Sequence, residues 1–419
     1  MPVRDPPARP INTPGTKTAS PHYAPTRPTI LAIVCCMCAL ALYFGSAPTA
    51  PVSNPASVAT CKTNLASQLR PLDVPGLAAA IVKDGRVVCT ATAGLANIED
   101  NKPVTPNTLF LIASVSKTIT GTALMQLYDQ GKFQLDDDIN EFLPFEIRIP
   151  AAPDSPITFR QLLTHTASIK DNPDYINCPG SCAYGSLLGP MVTRGADSPI
   201  SLADFTKGYV TPDGEYYDED NNFEAEAPGT VADYSNIGIV LAGYLAEVIS
   251  GTPFDRYCQD HIFAPLGMDK TSWRLAGIDQ TILAMPYDKS PSGGYLPYGH
   301  YGEPDYPDGM LRTSVVELSR FLIAYMQDGR FDDRDILKPT TVQDMLSSQT
   351  PLKPSQGLVW VRHSIDNRTV WGHDGADNGA GAEMWFDPAK KAGVILMTNG
   401  IWHNTGGLLA SLFREADRY

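Results

Sequence analysis

Basic charge is scarce in this chain. Lys and Arg number 32 against 46 Asp and Glu, a formal net charge of −14. Nucleic acids and anionic lipid surfaces carry the same sign and repel such a protein, so neither is expected as a main partner, and no run of Lys or Arg makes a local exception. A long uncharged run is also missing. The apolar stretch Ile30–Phe44 (ILAIVCCMCALALYF) has fifteen residues. A spanning helix needs roughly 20, a length approached only if Pro28, Thr29, Gly45 and Ser46 are counted as flanks. Internal repeats are absent, which excludes solenoid and propeller architectures. Histidine is thin as well: of seven, His22, His261, His300, His363 and His403 fall in no catalytic or metal-ligand constellation.

What is there is an ordinary globular composition, 43% hydrophobic and 19% charged over 419 residues, enough to fill a sizeable core. Residues 1–28, rich in Pro, Thr and Ala with Arg4, Arg9, Lys17 and Arg27 against Asp5, read as a disordered basic tail. Residues 29–46 read as a membrane anchor or a cleaved signal core. The anchor is favoured because the tail is long for a signal n-region and the small-residue sites near Ala47 and Ala50 are each followed by Pro. The positive-inside rule then leaves the tail cytoplasmic and exports the rest, to a periplasm or to a lumenal or extracellular space; signal cleavage would instead give a secreted protein. Residues 47–60 form a Pro/Ala/Ser linker, and residues 61–419 the folded domain.

Three of the eight cysteines, Cys35, Cys36 and Cys38, lie in the apolar segment. Of the other five, Cys178-Pro-Gly-Ser-Cys182 brackets a turn and suits a small loop-closing disulfide in an exported domain. Cys61 with Cys89 is a second pairing, which leaves Cys258 as a buried thiol within the helical pattern FDRYCQDHIF.

The folded part opens with LAAAIVKDGRVVCTATAG, two β-rich runs joined by Asp84-Gly85, a strong hairpin signal. Near the end, LVWVRH, RTVWGHDG, GAEMWFDP and AGVILMTNG are strand-like runs between turn residues, and NTGGLLASLFREADRY reads as a closing helix. The stretch from about Ser114 to Leu346 is mostly helical pattern. The expectation is an α+β fold in which both chain ends meet in one antiparallel sheet flanked by helices, with a mostly helical middle domain.

Ser114-Val115-Ser116-Lys117 opens a helical pattern in which Val115, Ile119, Leu124 and Leu127 recur, with Gly131 at the C-terminal cap position. Residues three apart share a helix face, so the Lys117 amine can reach the Ser114 hydroxyl, where a neutral or proton-sharing lysine deprotonates a weak nucleophile. Taken alone the motif is more often a helix cap beside a surface lysine. Two more motifs follow in order: Tyr234-Ser235-Asn236 after a Pro228-Gly229-Thr230 turn, and His373-Asp374-Gly375 on a late strand. Taken alone, Tyr234 would be a core aromatic and Asn236 a turn residue.

In this order the three motifs resemble the family of class C beta-lactamases, D-alanyl-D-alanine carboxypeptidases and carboxylesterases, whose pattern is S-x-x-K, Y-x-N, then K-T-G or H-x-G. QLLTHTASI, APGTVADYSNIGIVLAGYLAEVISG, FAPLGMDKTSW and FDPAKKAGVILMTN also resemble family segments and carry the likeness from about Leu77 to the C-terminus. The resemblance implies a beta-lactamase/transpeptidase-like fold and a serine hydrolase working through an acyl-enzyme. It implies that Ser114 attacks a carbonyl, that Lys117 and Tyr234 together move its proton, and that Tyr234 then activates water. Asn236 would bind Lys117 or the substrate amide, and the backbone N–H groups of Ser114 and Ala376, beside His373 and Gly375, would form the oxyanion hole. No metal or organic cofactor is implied.

Position 373 bears on the substrate. Lys in K-T-G offers a fixed positive charge to a substrate carboxylate; His373 is mostly neutral at pH 7, and Asp374, if it faces the cleft, repels an anion. That favours small esters or amides over beta-lactams or peptidoglycan D,D-peptides, with a catalytically silent scaffold as a third reading. Further departures are Ala167-Ser168 in place of Ser-Gly and Asp308 in place of a small residue, both expected to reshape loops around the cleft. His165 is expected to be structural. The acidic run Asp213 to Glu226 is either a solvated loop or a lining of the cleft mouth that favours cationic or neutral substrates.

Overall fold

The computed structural model describes residues 59–172, 191–402 and 404–419. Cys178 and Cys182, the apolar segment 29–46 and the basic tail lie outside them, as does His403. Among the described residues no single helix is long and apolar enough to cross a membrane.

Eight strands build the main sheet. Four come from the start, β1 (Ala59–Thr60), β2 (Gly76–Lys83), β3 (Arg86–Asn97) and β4 (Lys102–Pro103), and four from the end, β5 (Val361–Ile365), β6 (Arg368–Asp377), β7 (Ala380–Asp387) and β8 (Ala392–Thr398). Their order is β1-β3-β2-β8-β7-β6-β5, with β4 on β3. The chain ends meet between β2 and β8, in register from Leu77 opposite Thr398 to Lys83 opposite Ala392. The β2–β3 turn has Asp84 and Gly85 at φ of 49° and 74°, the doubly left-handed pattern that Asp-Gly supplies at low cost. One pairing departs from the expected antiparallel sheet: β1, which falls at the end of the stretch expected to be linker, runs parallel to β3. The Cys61–Cys89 disulfide fastens this corner, and Cys258 is free and buried.

Both faces of the central strands are buried, so their alternation sorts residues between two cores rather than between core and water. Ala78, Ala80, Val82, Ile395 and Met397 join the main core, whereas Leu77, Ala79, Ile81, Val394 and Leu396 join a smaller one under the C-terminal helix. The middle of the chain supplies α1 (Ser116–Asp129), α2 (Asn236–Ser250) and α3 (Val315–Met326), and the end supplies α4 (Gly406–Ala416). α4 presents Leu408, Leu409, Leu412 and Phe413 to the smaller core. α1 is buried on every side from Ser116 to Leu127, as a helix packed against α2 and enclosed by its neighbours must be. Its threonines satisfy their hydroxyls internally: Thr118 and Thr122 donate to backbone carbonyls one turn back, and Thr120 donates to the Pro307 carbonyl of a distant loop.

Candidate active site

The motif serine does not open a plain α-helix. Ala113–Val115 is a 3-10 turn that feeds α1, and Ala113 has φ of 46°, a left-handed conformation costing about 1 kcal/mol or more for a residue with a Cβ. The surroundings hold it there: the Ile112 N–H donates to the Leu311 carbonyl at 3.0 Å, and the Leu311 N–H donates to Ser116 Oγ at 3.3 Å. The turn leaves Ser114 half-buried at the mouth of the helix, while Ser116 and Lys117 are fully buried.

Lys117 Nζ donates to Ser114 Oγ at 2.9 Å and to the Asp308 carbonyl at 2.9 Å. The Asp308 carboxylate lies 3.5 Å from the same nitrogen, and the Tyr234 ring centroid 5.2 Å away. Burial works against the ammonium, but Tyr234 and Asp308 outweigh it and hold Lys117 above the ordinary lysine range. Burial of the Tyr234 hydroxyl raises it above the ordinary phenol range, and Lys117 and Ser114 offset only part of that. Tyr234 as a residue is 39% exposed, so the site opens to solvent beside it.

Tyr234 stacks on His165, ring centroids 4.5 Å apart, and lies 6.3 Å from His373. His165 is buried, and its Nδ1 accepts from the Ser235 N–H at 3.2 Å. That contact fixes the ring as a backing for Tyr234. Asn236 departs from its expected partners. Its side-chain amide and its backbone N–H both donate to Asp171 Oδ2, at 2.9 and 3.0 Å, and the Ile237 N–H donates to Asp171 Oδ1 at 3.1 Å. Asp171 thus holds the first turn of α2 and the Asn236 side chain together, a role the sequence reading missed. Burial raises its carboxyl to about 6 despite those bonds.

The third motif lies on β6, whose pairing with β5 ends at Gly372. Beyond it, residues 373–377 pair only with β7, leaving an open edge beside the nucleophile turn. His373 and Gly375 are buried on the side facing that turn, and Asp374 and Ala376 are exposed on the other. The Asp374 carboxylate therefore points away from Ser114 and, with Glu383 and Trp385, lines a hollow on the far face of the sheet. The expected repulsion of anions by Asp374 is corrected by this alternation. His373 Nδ1 meets the Asp374 carbonyl, which can only accept, so Nδ1 carries the proton and the buried Nε2 is an acceptor without a partner among the described residues. Burial lowers the imidazole to about 4, Asp374 opposing it, so the ring is neutral at pH 7.

Negative charge enters from elsewhere. Glu303, Asp305 and Asp308 are all buried, and with Asp377 they form one electrostatic cluster behind Lys117. Arg312 is buried beside them but gives its guanidinium to the carbonyls of Trp273, Met310 and Tyr301. The departure noted at Asp308 thus places a carboxylate against Lys117. The acidic run before Tyr234 contains a short helix, Glu219–Asn222, capped by Asp218. It is tied down by Asn222, whose amide donates to the Tyr209 and Tyr216 carbonyls.

A family model described as Beta-lactamase matches residues 64–401, and the chain belongs to that family. A beta-lactamase of Yersinia enterocolitica is 27% identical over 381 residues, covering 83% of this chain and 88% of the relative. Penicillin-binding protein 4 of Amycolatopsis lactamdurans is 24% identical over 361 residues, covering 82% and 84%. The fold is shared with a D-amino acid amidase of Ochrobactrum anthropi SV3, with a TM-score of 0.66 and 21% identity over 85% of this chain and 97% of that one. It is shared also with a class C beta-lactamase of Rhodobacter sphaeroides, with a TM-score of 0.62 and 21% identity over 84% and 97%. The chain is a serine hydrolase of the beta-lactamase type.

Proposed function

We propose that Ser114 is the nucleophile of an acyl-enzyme mechanism acting on small esters or amides. The 2.9 Å contact from Lys117 Nζ to Ser114 Oγ carries this reading. In the first half-reaction the Lys117–Tyr234 pair takes the serine proton as Oγ bonds to the substrate carbonyl carbon, and returns it to the leaving alkoxide or amine. Backbone N–H groups of Ser114 and Ala376 receive the developing oxyanion. In the second half, Tyr234 takes a proton from water, whose oxygen attacks the acyl carbon; the C–Oγ bond breaks, the acid leaves, and the proton passes from the Lys117–Tyr234 pair to Ser114 Oγ. Asn236, held by Asp171, and Gly375 shape the walls of this pocket.

The preference for esters or amides without a carboxylate rests on His373. A neutral ring with a bare Nε2 offers an acceptor to a substrate N–H or O–H, not a cation to a carboxylate. A beta-lactamase or D,D-peptidase is the second reading, favoured by the relatives in Yersinia and Amycolatopsis. The test is turnover of p-nitrophenyl esters, D-amino acid amides and nitrocefin beside Ser114→Ala. The ester or amide should turn over fastest and the variant not at all. Nitrocefin as the best substrate would favour the second reading, and silence on all three would favour a scaffold. The domain is also proposed to be exported and held at a membrane by residues 29–46; the Cys61–Cys89 disulfide supports an oxidising compartment.

A further inference from the structure

Asp308 offers Lys117 two different contacts. Its carbonyl, 2.9 Å from Nζ, is backbone and would be supplied by any residue there. Its carboxylate, 3.5 Å from Nζ, is peculiar to aspartate. The loop that carries it is anchored to α1, because the Thr120 hydroxyl donates to the Pro307 carbonyl and the Asp308 N–H closes a turn on the Asp305 carbonyl at 3.1 Å. The Asp308 backbone is therefore held beside Lys117 by the fold, and its side chain is buried there.

Of the four clustered carboxylates, Asp308 is the one in ion-pair range of Lys117 among the described residues. Glu303 Oε1 and Asp305 Oδ1 are buried without a partner among the described residues, and Asp377 Oδ1 accepts from the Asn378 N–H. Burying a carboxylate without a counter-charge is costly, which raises Glu303 and Asp305 well above the ordinary carboxyl range; burial also raises Asp308 and Asp377, but Lys117 offsets part of it.

We propose that Asp308 is a positioning residue for acylation: its carboxylate holds the Lys117 ammonium against Ser114 and sets the pH at which the Lys117–Tyr234 pair can take the serine proton. The inference rests on Ser114 being the nucleophile. Other titratable groups face Lys117 from each neighbouring element. Tyr234 and Asp171 come from the segments around α2, His165 and His373 from behind and beside Tyr234, and Asp377 from the end of β6. Lys353 acts on the two histidines from the loop before β5. None of these is an anion as near to Nζ as Asp308, the one carboxylate that forms an ion pair with Lys117 among the described residues.

The sign follows from the charge. A carboxylate beside Lys117 favours its protonated form and disfavours a Tyr234 phenolate, so it raises both members of the pair. Removing the charge lowers both, whichever of them accepts the proton, and the acid limb of acylation moves to lower pH. Asp308→Asn keeps the carbonyl contact and the shape while removing the charge.

The experiment is the rate of Ser114 labelling by a fluorophosphonate across pH 4–9, in wild type and Asp308→Asn, with melting temperatures alongside. The expected result is an acid limb displaced downward by roughly one pH unit. An unmoved limb in a folded variant would overturn the proposal. If Asp308→Asn does not fold, Asp308→Ala, the small residue, should give the same shift; failure of both to fold would overturn it too, by placing Asp308 in stability alone. Absence of wild-type labelling would instead overturn Ser114 as nucleophile.

Discussion

Gly375 of β6 and Ser114 approach so closely that a Cβ on Gly375 would lie 2.8 Å from the Ser114 backbone nitrogen and 2.6 Å from the Ile112 carbonyl oxygen. Only a residue without a side chain lets the open strand edge run against the nucleophile turn. Gly375→Ala must therefore push the edge and the turn apart, at a cost of about 1–3 kcal/mol by overpacking. The expected outcome is a folded protein with kcat/KM at least about tenfold lower and a reduced melting temperature; both are read on the purified variant.

Lys117 and Tyr234 should fail differently. Lys117→Ala leaves Asp308 as an uncompensated buried charge, so it should lose both activity and stability. Tyr234→Phe keeps the ring on His165 and should keep the fold, while losing about 10²–10⁴-fold in kcat through proton transfer. Paired kinetics and thermal melts separate the two.

His373→Lys would supply the fixed cation that the third motif lacks. The ratio of nitrocefin to neutral ester turnover should rise by about tenfold. In the wild type His373 stays neutral above about 4, so no inflection in kcat/KM between pH 5 and 8 should disappear in His373→Asn.

Stability should depend on pH through Glu383, on the far face of the sheet. Burial raises its carboxyl from 4.5 to about 7, with Thr405 and Trp385 offsetting part. The folded state then holds an extra proton between those values, so stability is full below about 4.5 and falls as pH rises towards 7. Glu383→Gln should flatten the melting temperature over that window; an unchanged slope would contradict the assignment.

Much of this was legible in the sequence where the signal is local or periodic. Asp84-Gly85 announced a hairpin, the strand runs at both ends announced a shared sheet, and the ordered motifs marked Ser114, Lys117 and Tyr234, which the fold brings together. What stayed hidden depends on contacts between distant segments. Asp308 looked like a loop substitution because nothing near it in sequence shows that Lys117, 191 residues earlier, is its partner. Asp171 carried no signal, since its three bonds run to residues 65 and 66 positions on. Which way Asp374 faces was left open by the motif, since alternation allows either; only the placement of β6 against β7 and the nucleophile turn decides which face of the strand meets the serine. Disulfide pairing was equally open: spacing favoured Cys178 with Cys182, whereas Cys61–Cys89 depends on β1 lying beside β3, with Ala59 opposite Cys89.

The account stands most directly on whether Ser114 becomes acylated. Intact-mass and peptide mapping after brief exposure to a fluorophosphonate should show one adduct, on Ser114, absent from Ser114→Ala and strongly slowed in Tyr234→Phe. An adduct on another residue, or none on folded wild-type protein, would contradict it.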